Sequence, residues 1–338
     1  MCRIVFAGCD RPLERRLVAA DGHEHRALPV ESLAMLRRNP LRFAWRTWRA
    51  CRMAGALLEL EKPAAVVGLG GYACVPTLHM AVRKGIPVLL LEQNVIPGRA
   101  TRYFSRRAAA VCISFAATRD KLSRAARIEL TGNPVREPIA ELSTPGRVPD
   151  ASASPMVLVL GGSQGAESLN ELVCGMFSQQ SSQWNGWRIV HQTGAAQERQ
   201  VEQTYRSAGL NHYVQPFFES LANWYSPATF VISRAGATTL AELACAGCPA
   251  VLIPYPHAAD NHQLANARIF EEAGAATVIQ QGPSTANTGD RLNAVVARLA
   301  SDPAHRAAMR KAMQTLARPD AARDVRQVLQ SLSPGPIK

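Results

Sequence analysis

Three stretches of this chain join an apolar strand-like run, a glycine turn and a helical pattern, an arrangement that brings backbone N–H groups to an anion. The first is Val157-Leu-Val-Leu-Gly161-Gly162-Ser163-Gln164-Gly165-Ala166. Its glycines let the backbone approach a phosphate, the helix behind it adds partial positive charge, and Ser163 adds a hydroxyl. The second is Gly68-Leu-Gly70-Gly71-Tyr72, which also follows an apolar run. The third, Ile232-Ser-Arg-Ala-Gly236-Ala237-Thr238-Thr239-Leu240-Ala241-Glu242, sets Thr238 and Thr239 in a first helical turn. Glu242 follows one turn later, where a carboxylate can accept both hydroxyls of a ribose. Each stretch also has a plainer reading, a tight β–α turn without a ligand and, for Glu242, a capping carboxylate. A polar cluster, Pro254-Tyr-Pro-His257-Ala-Ala-Asp260-Asn261-His262-Gln263, comes after an apolar run, and polar groups packed there need a ligand or one another.

Elements that position such turns are the strands and crossover helices of parallel sheets. Strands are expected at Ala64–Gly68, Pro87–Leu91, Ala108–Ile113, Met156–Leu160, Trp187–Val190, Phe230–Ser233 and Ala250–Pro254. Helices are expected at Ala166–Phe177 and Ala237–Ala246, with a helical pattern over Asp290–Leu332. The class is α/β, with two Rossmann-like, doubly wound domains. Residues 1–141 form the first and 156–320 the second; the Pro- and Ser-rich stretch 142–155 links them, and 321–338 is a C-terminal helix and tail. A chain of 338 residues suits two such domains. Both glycine turns would face an interdomain cleft from the carboxyl ends of their strands.

In this order the pieces resemble the MurG family of bacterial glycosyltransferases. The matching motifs are Gly68–Tyr72, Glu92-Gln-Asn94, Gly132-Asn-Pro-Val-Arg136, Gly161–Gly165, Ser233–Glu242 and His257–Gln263 followed by Asn266. The likeness runs from about Phe6 to the last helix. It implies a GT-B fold and transfer of N-acetylglucosamine from its UDP donor to a lipid-linked muramyl-pentapeptide, with inversion in one displacement. It implies that Ser163 and the Gly236–Thr239 turn meet the diphosphate, Phe218 the uracil neighbourhood and Glu242 the ribose. Asn94, Arg136 and Gln263 complete the donor site together with Ala237, Leu240 and Ala241, and Gly68, Gly70, Gly71, Tyr72, Gly161, Gly162, Gly165 and Gly236 form the cleft loops. Helix dipoles take the leaving-group charge. The sequence has no Asp-x-Asp metal motif, and neither metal nor cofactor is expected.

The family opens with a strand and a Gly-Gly-x-Gly-Gly-His loop whose histidine serves as base, and nothing of that form occurs here. Gly8–Val18 resembles the family's second strand–helix unit, so the expectation is that roughly thirty residues, including the central first strand, are missing. His257 and His262 belong to the donor motif, and no other histidine matches a catalytic position. No general base is assigned.

Charge adds a partner. Residues 1–155 hold 24 Lys and Arg against 13 Asp and Glu, and residues 156–338 hold 14 against 13, giving +11 and +1. The first half therefore faces something anionic. In Leu33–Met53, Arg38, Arg42, Arg46 and Arg49 share a helical face, interleaved with Trp45 and Trp48. This suits an interfacial segment on anionic lipid, the alternative being a solvated helix with its tryptophans packed inward. No apolar run is long enough to span a bilayer, and Met1–Phe6 enters a strand-like segment at once. The expected location is the cytoplasmic face of the inner membrane. Eight scattered cysteines, Cys245-Ala-Gly-Cys248 included, read as buried small hydrophobes. Three rivals compete with the transferase: a UDP-N-acetylglucosamine 2-epimerase, a donor-binding protein without transfer, and a nucleic-acid binder. The near-neutral second half and the lack of a nucleic-acid module argue against the last, and no nucleic-acid partner is expected.

Overall fold

The computed structural model describes residues 3–31, 33–144, 154–161, 166–282 and 285–332. By contact the chain divides into two units, one running to Gly132 and resuming at Ala322, the other spanning Asn133–Ala321.

The first unit holds β1 (Val5–Gly8), β2 (Glu24–Ala27), β3 (Val66–Gly68), β4 (Val88–Glu92), β5 (Ala110–Ile113) and β6 (Ile128–Leu130). β3 to β6 pair in sequence order as a parallel sheet, while β1 and β2 form a separate parallel ladder. Leu90, Val111 and Ile113 bury one side of the larger sheet with Leu58, Leu78, Phe104 and Leu122. Leu89, Ala110 and Cys112 bury the other with Val328 of the helix Ala321–Ser331. That contact brings the C-terminal helix into the first unit.

The second unit holds β7 (Met156–Leu160), β8 (Arg188–Gln192), β9 (His212–Gln215), β10 (Phe230–Ser233), β11 (Ala250–Leu252) and β12 (Ala276–Val278). Their order is β12-β11-β10-β7-β8-β9, all parallel. Counted within the unit this is 6-5-4-1-2-3, the doubly wound order whose direction reverses between the first and fourth strands. Every residue of β7 and β10 is buried, as a strand covered by helices on both faces requires.

In that order the first strand sits between the second and the fourth. In the first unit, β1 and β2 pair only with each other among the described residues.

Two boundaries differ from the sequence reading. Residues 133–144, placed in the first domain and linker, pack with the second unit. There the short helices Glu137–Ala140 and Glu141–Ser143 lie against the helix Ala237–Ala246, with Ile139 and Leu142 buried. Composition marked the Pro/Ser-rich stretch, but apolar packing sets the division. The helical stretch expected over Asp290–Leu332 is three helices, Thr285–Ser301, Pro303–Thr315 and Ala321–Ser331, broken near Pro303 and Pro319.

Candidate active site

β7 and β10 are neighbours at the reversal point of the second sheet, with Leu160 paired to Ser233. The crossovers after them run to opposite sides, leaving a crevice at their carboxyl ends. On one side stands Gly161. A Cβ there would lie 2.9 Å from the carbonyl oxygen of Gln192 and 3.0 Å from Asn170 Oδ1, so only glycine fits. Gly162, Ser163, Gln164 and Gly165 lie outside the described residues.

On the other side Gly236 caps the helix Ala237–Ala246, and no side chain among the described residues bonds the first-turn N–H groups. Those donors of Ala237, Thr238 and Thr239 remain for a ligand. Leu240 is fully buried and anchors the helix to the core. The Thr238 hydroxyl accepts a hydrogen bond from Asn133 Nδ2 at 3.3 Å, which fastens the Gly132–Arg136 segment to this helix start. Thus Arg136 belongs to the same unit as the third glycine turn, close enough to act electrostatically on both Glu242 and Tyr225.

Glu242 is buried, and its Oε2 accepts the Tyr225 hydroxyl at 3.0 Å. Burial raises the carboxyl above its usual 4.5, opposed by the Tyr225 hydrogen bond and the Arg136 charge. Burial also holds Tyr225 well above its usual range, so the phenol remains a donor.

Arg234, absent from the sequence-derived site, spans the end of the sheet. One guanidinium nitrogen donates to the Ile253 carbonyl at 3.0 Å and to Gln281 Oε1 at 2.7 Å, and the other to the Ser168 hydroxyl at 2.7 Å. It thereby ties the helix behind the first glycine turn to the ends of β11 and β12. Its buried Nε has no hydrogen-bond partner among the described residues. Burial lowers its pKa to about 10, which still leaves it a cation at neutral pH.

Phe218 is buried in an aromatic stack with Tyr213 and Trp224, and its backbone N–H donates to Gln192 Oε1 at 3.0 Å. Gln263 opens the helix His262–Glu272 beside its start and accepts from the Tyr255 N–H at 2.9 Å. The fully buried His191 bridges Tyr205 (2.8 Å) and Asn170 (3.1 Å), and burial depresses its pKa to about 3. Asn170 also donates to the Thr193 carbonyl at 2.9 Å, so this network fixes the helix that follows Gly161. Cys245 and Cys248 are buried free thiols, the latter pushed up to about 12.

In the first unit Gly70 and Gly71 adopt φ of +88° and +74°, a left-handed turn that side chains disfavour. Tyr72 behind them accepts a hydrogen bond from Arg11 at 3.1 Å. At Gly68 a Cβ would press on Leu90 at 2.9 Å. Asn94 is fixed by the buried Glu92, whose Oε1 accepts from its backbone N–H at 3.1 Å.

The helix Pro40–Glu61 starts at Asn39, whose side chain accepts from the Arg42 N–H at 2.9 Å, and ends at the left-handed Lys62. It buries Ala50, Ala54, Gly55 and Leu58 and exposes Leu41, Trp45 and Trp48. Inward packing of the tryptophans is not what forms. Arg49 lies over the Trp45 ring and Arg52 over Trp48. Arg42 and Arg46 both pair with Glu31, a local neutralisation that residue spacing did not reveal. Arg38, expected on the same helical face as Arg42, Arg46 and Arg49, instead ends the preceding helix Leu33–Arg38, because Asn39 caps a new helix that starts at Pro40.

Residues 156–325 match the model of the glycosyltransferase family 28 C-terminal domain, and residues 3–113 that of the N-terminal domain. A relative from Desulfotalea psychrophila is 38% identical over 284 residues, 84% of this chain and 75% of the relative. It is named UDP-N-acetylglucosamine–N-acetylmuramyl-(pentapeptide) pyrophosphoryl-undecaprenol N-acetylglucosamine transferase. The crystal structure of MurG from Acinetobacter baumannii superposes with a TM-score of 0.74 at 30% identity, covering 98% of this chain and 91% of that one. This chain belongs to the MurG family of family 28 glycosyltransferases. Its fold is GT-B, two Rossmann-like parallel-sheet domains. A UDP-GlcNAc 2-epimerase from Neisseria meningitidis, solved with UDP-GlcNAc, superposes with a TM-score of 0.68 at 13% identity over 97% of this chain and 91% of that one. At that identity the likeness is one of fold alone. As a glycosyltransferase the chain needs a sugar donor whose leaving group is anionic, and the reversal point of its second sheet offers backbone donors to such a group.

Proposed function

We propose that this chain transfers N-acetylglucosamine from UDP-N-acetylglucosamine to a muramyl-pentapeptide carried on pyrophosphoryl-undecaprenol, working as a peripheral protein on an anionic membrane surface. The observation that carries the reading is the adjacency of β7 and β10 at the reversal point of the second sheet, which sets Gly161 and the helix start at Gly236 at neighbouring strand ends, with Glu242 on that helix. The names of the relatives supply the donor and acceptor classes.

In this mechanism the diphosphate lies against the uncapped start of the helix Ala237–Ala246. Its N–H groups and partial positive charge are aimed at the oxygen on which charge grows as the sugar–phosphate bond breaks. The acceptor hydroxyl attacks the anomeric carbon from the opposite side, inverting it and releasing its proton to solvent water, and UDP departs with the bond's electron pair. Glu242 accepts from the ribose hydroxyls while Tyr225 holds its other oxygen, and Arg136 adds positive charge nearby. Gln263 lines the donor site from the start of its own helix.

Membrane association rests on the exposed Trp45 and Trp48 with Arg49 and Arg52 stacked on them, the amphipathic pairing that suits a headgroup boundary. No helix among the described residues is long and apolar enough to cross a membrane.

The test is release of UDP from UDP-N-acetylglucosamine with and without a lipid-linked muramyl-pentapeptide acceptor. Release together with a disaccharide product, only when the acceptor is present, supports transfer. Release without acceptor, accompanied by a 2-epimeric sugar, would replace this reading with the epimerase.

A further inference from the structure

Tyr255 lies three residues past β11, at the carboxyl end of the second sheet. β11, Ile253 and Pro254 before it are buried, yet Tyr255 keeps 45% of its surface exposed. Leaving so large a ring in water forgoes the gain of burying it. The ring is nonetheless held. The Arg234 guanidinium lies over it, with Cζ 5.7 Å from the ring centroid, and the His257 ring meets it at 5.6 Å and 81°. Arg234 is itself anchored by the Ile253 carbonyl and Gln281, so the ring rests on a fixed support. The Tyr255 backbone is held as well, its N–H donating to Gln263 Oε1 at 2.9 Å and its carbonyl accepting from the Ala258 N–H at 3.1 Å.

The bond to Gln263 also decides which end of that amide can serve a ligand. With Oε1 engaged by the Tyr255 N–H, the donor left over is Nε2, which makes no hydrogen bond among the described residues. A fixed aromatic ring and an amide donor, tied together by one hydrogen bond, therefore stand side by side at the end of the sheet. A pyranose carries C–H groups on its faces and polar groups around its rim. It is held by an aromatic surface against one face and by directed hydrogen bonds at its edge, and Tyr255 and Gln263 supply one of each.

We propose that the Tyr255 ring is the surface on which the hexosamine ring of the donor stacks, so that this residue recognises the sugar and not the nucleotide. The proposal rests on the reading of the second unit as a UDP-N-acetylglucosamine site, and the experiment separates the two. UDP and UDP-N-acetylglucosamine are each titrated calorimetrically into the full chain as wild type, Tyr255→Ala and Tyr255→Phe. Both substitutions keep the backbone N–H that holds Gln263, and UDP binding in the same samples reports folding.

Tyr255→Ala should bind UDP-N-acetylglucosamine about five- to tenfold more weakly, the scale of one aromatic contact, while its affinity for UDP stays unchanged. Tyr255→Phe should bind both ligands as the wild type does. Three results overturn the stacking surface. Tyr255→Ala binding the full donor as tightly as the wild type would remove the ring from the site. An equal loss for UDP and the full donor would place the ring against the nucleotide or make it only a brace for the loop. A loss in Tyr255→Phe as large as in Tyr255→Ala would assign the effect to the hydroxyl. Wild type that binds neither ligand overturns the donor site itself, and the stacking surface with it.

Discussion

The Tyr225 hydroxyl donates to Glu242 Oε2 at 3.0 Å across a buried contact, and this one bond decides how Glu242 can serve a ligand. Tyr225 orients the carboxylate and occupies one of its oxygens. Oε1 makes no hydrogen bond among the described residues and is not one of the sealed polar atoms.

Glu242→Ala is expected to weaken UDP binding by about 1.5–3 kcal/mol, the worth of hydrogen bonds from ribose hydroxyls to a charged acceptor. Tyr225→Phe should weaken it less, because the carboxylate survives without its orienting partner. The pH dependence has a definite sign. Burial raises the Glu242 carboxyl above 4.5, whereas ribose hydroxyls stabilise its ionised form. UDP binding therefore releases a proton in the pH range where the raised carboxyl of free Glu242 titrates, and affinity falls as pH is lowered through that range. Calorimetry in two buffers of different ionisation enthalpy measures the proton. Equal affinity in wild type and Glu242→Ala would remove Glu242 from the site.

His191 makes the second unit sensitive to acid. Its folded pKa of about 3 lies below its ordinary 6.5, so between these values the unfolded chain binds the extra proton. The stability it contributes is complete above 6.5 and declines as pH falls toward 3. Urea midpoints measured from pH 7 to pH 4 should drop in the wild type. In His191→Gln the curve should be flatter over that range and the protein less stable at pH 7, since Tyr205 and Asn170 lose a matched partner.

Arg234→Gln should destabilise the second unit by about 1–3 kcal/mol, because carbonyl, amide and hydroxyl partners on three elements lose a shared donor. Arg234→Lys should recover little, since one ammonium cannot replace a fork reaching Ile253, Gln281 and Ser168 together. Urea unfolding measures the first effect. Full recovery by lysine would show that charge alone matters.

On the helix Pro40–Glu61, Arg42→Gln/Arg46→Gln/Arg49→Gln should reduce sedimentation with anionic vesicles and leave neutral vesicles unaffected. Salt should act alike, with the screening length falling from ~8 Å at physiological ionic strength to ~3 Å at 1 M. Because Glu31 pairs with both Arg42 and Arg46, Glu31→Gln should strengthen anionic binding. Wild-type binding that ignores lipid charge contradicts the proposed surface.

Local chemistry made much of the second unit readable from the chain. Short β-branched runs ending in glycine and followed by a 3.6-residue pattern have few conformations open to them, and β7, β10 and the helix Ala237–Ala246 fall where that pattern put them. The exposed arginine–tryptophan face was legible for the same reason, since helical spacing alone brings those side chains together. What spacing cannot report is which distant groups meet after the sheet closes. Arg234 gains its three anchors only when β11, β12 and the helix Glu167–Gln179 converge on it. Tyr225 reaches Glu242 across 17 residues and Asn133 reaches Thr238 across 105, and the Phe218 ring turns into an aromatic stack. The division of the chain near Gly132 and the return of the C-terminal helix to the first unit share that cause. Backbone preference acts between neighbours and writes its mark locally, whereas burial of apolar surface selects partners far apart in the chain, and only the folded core reveals which they are.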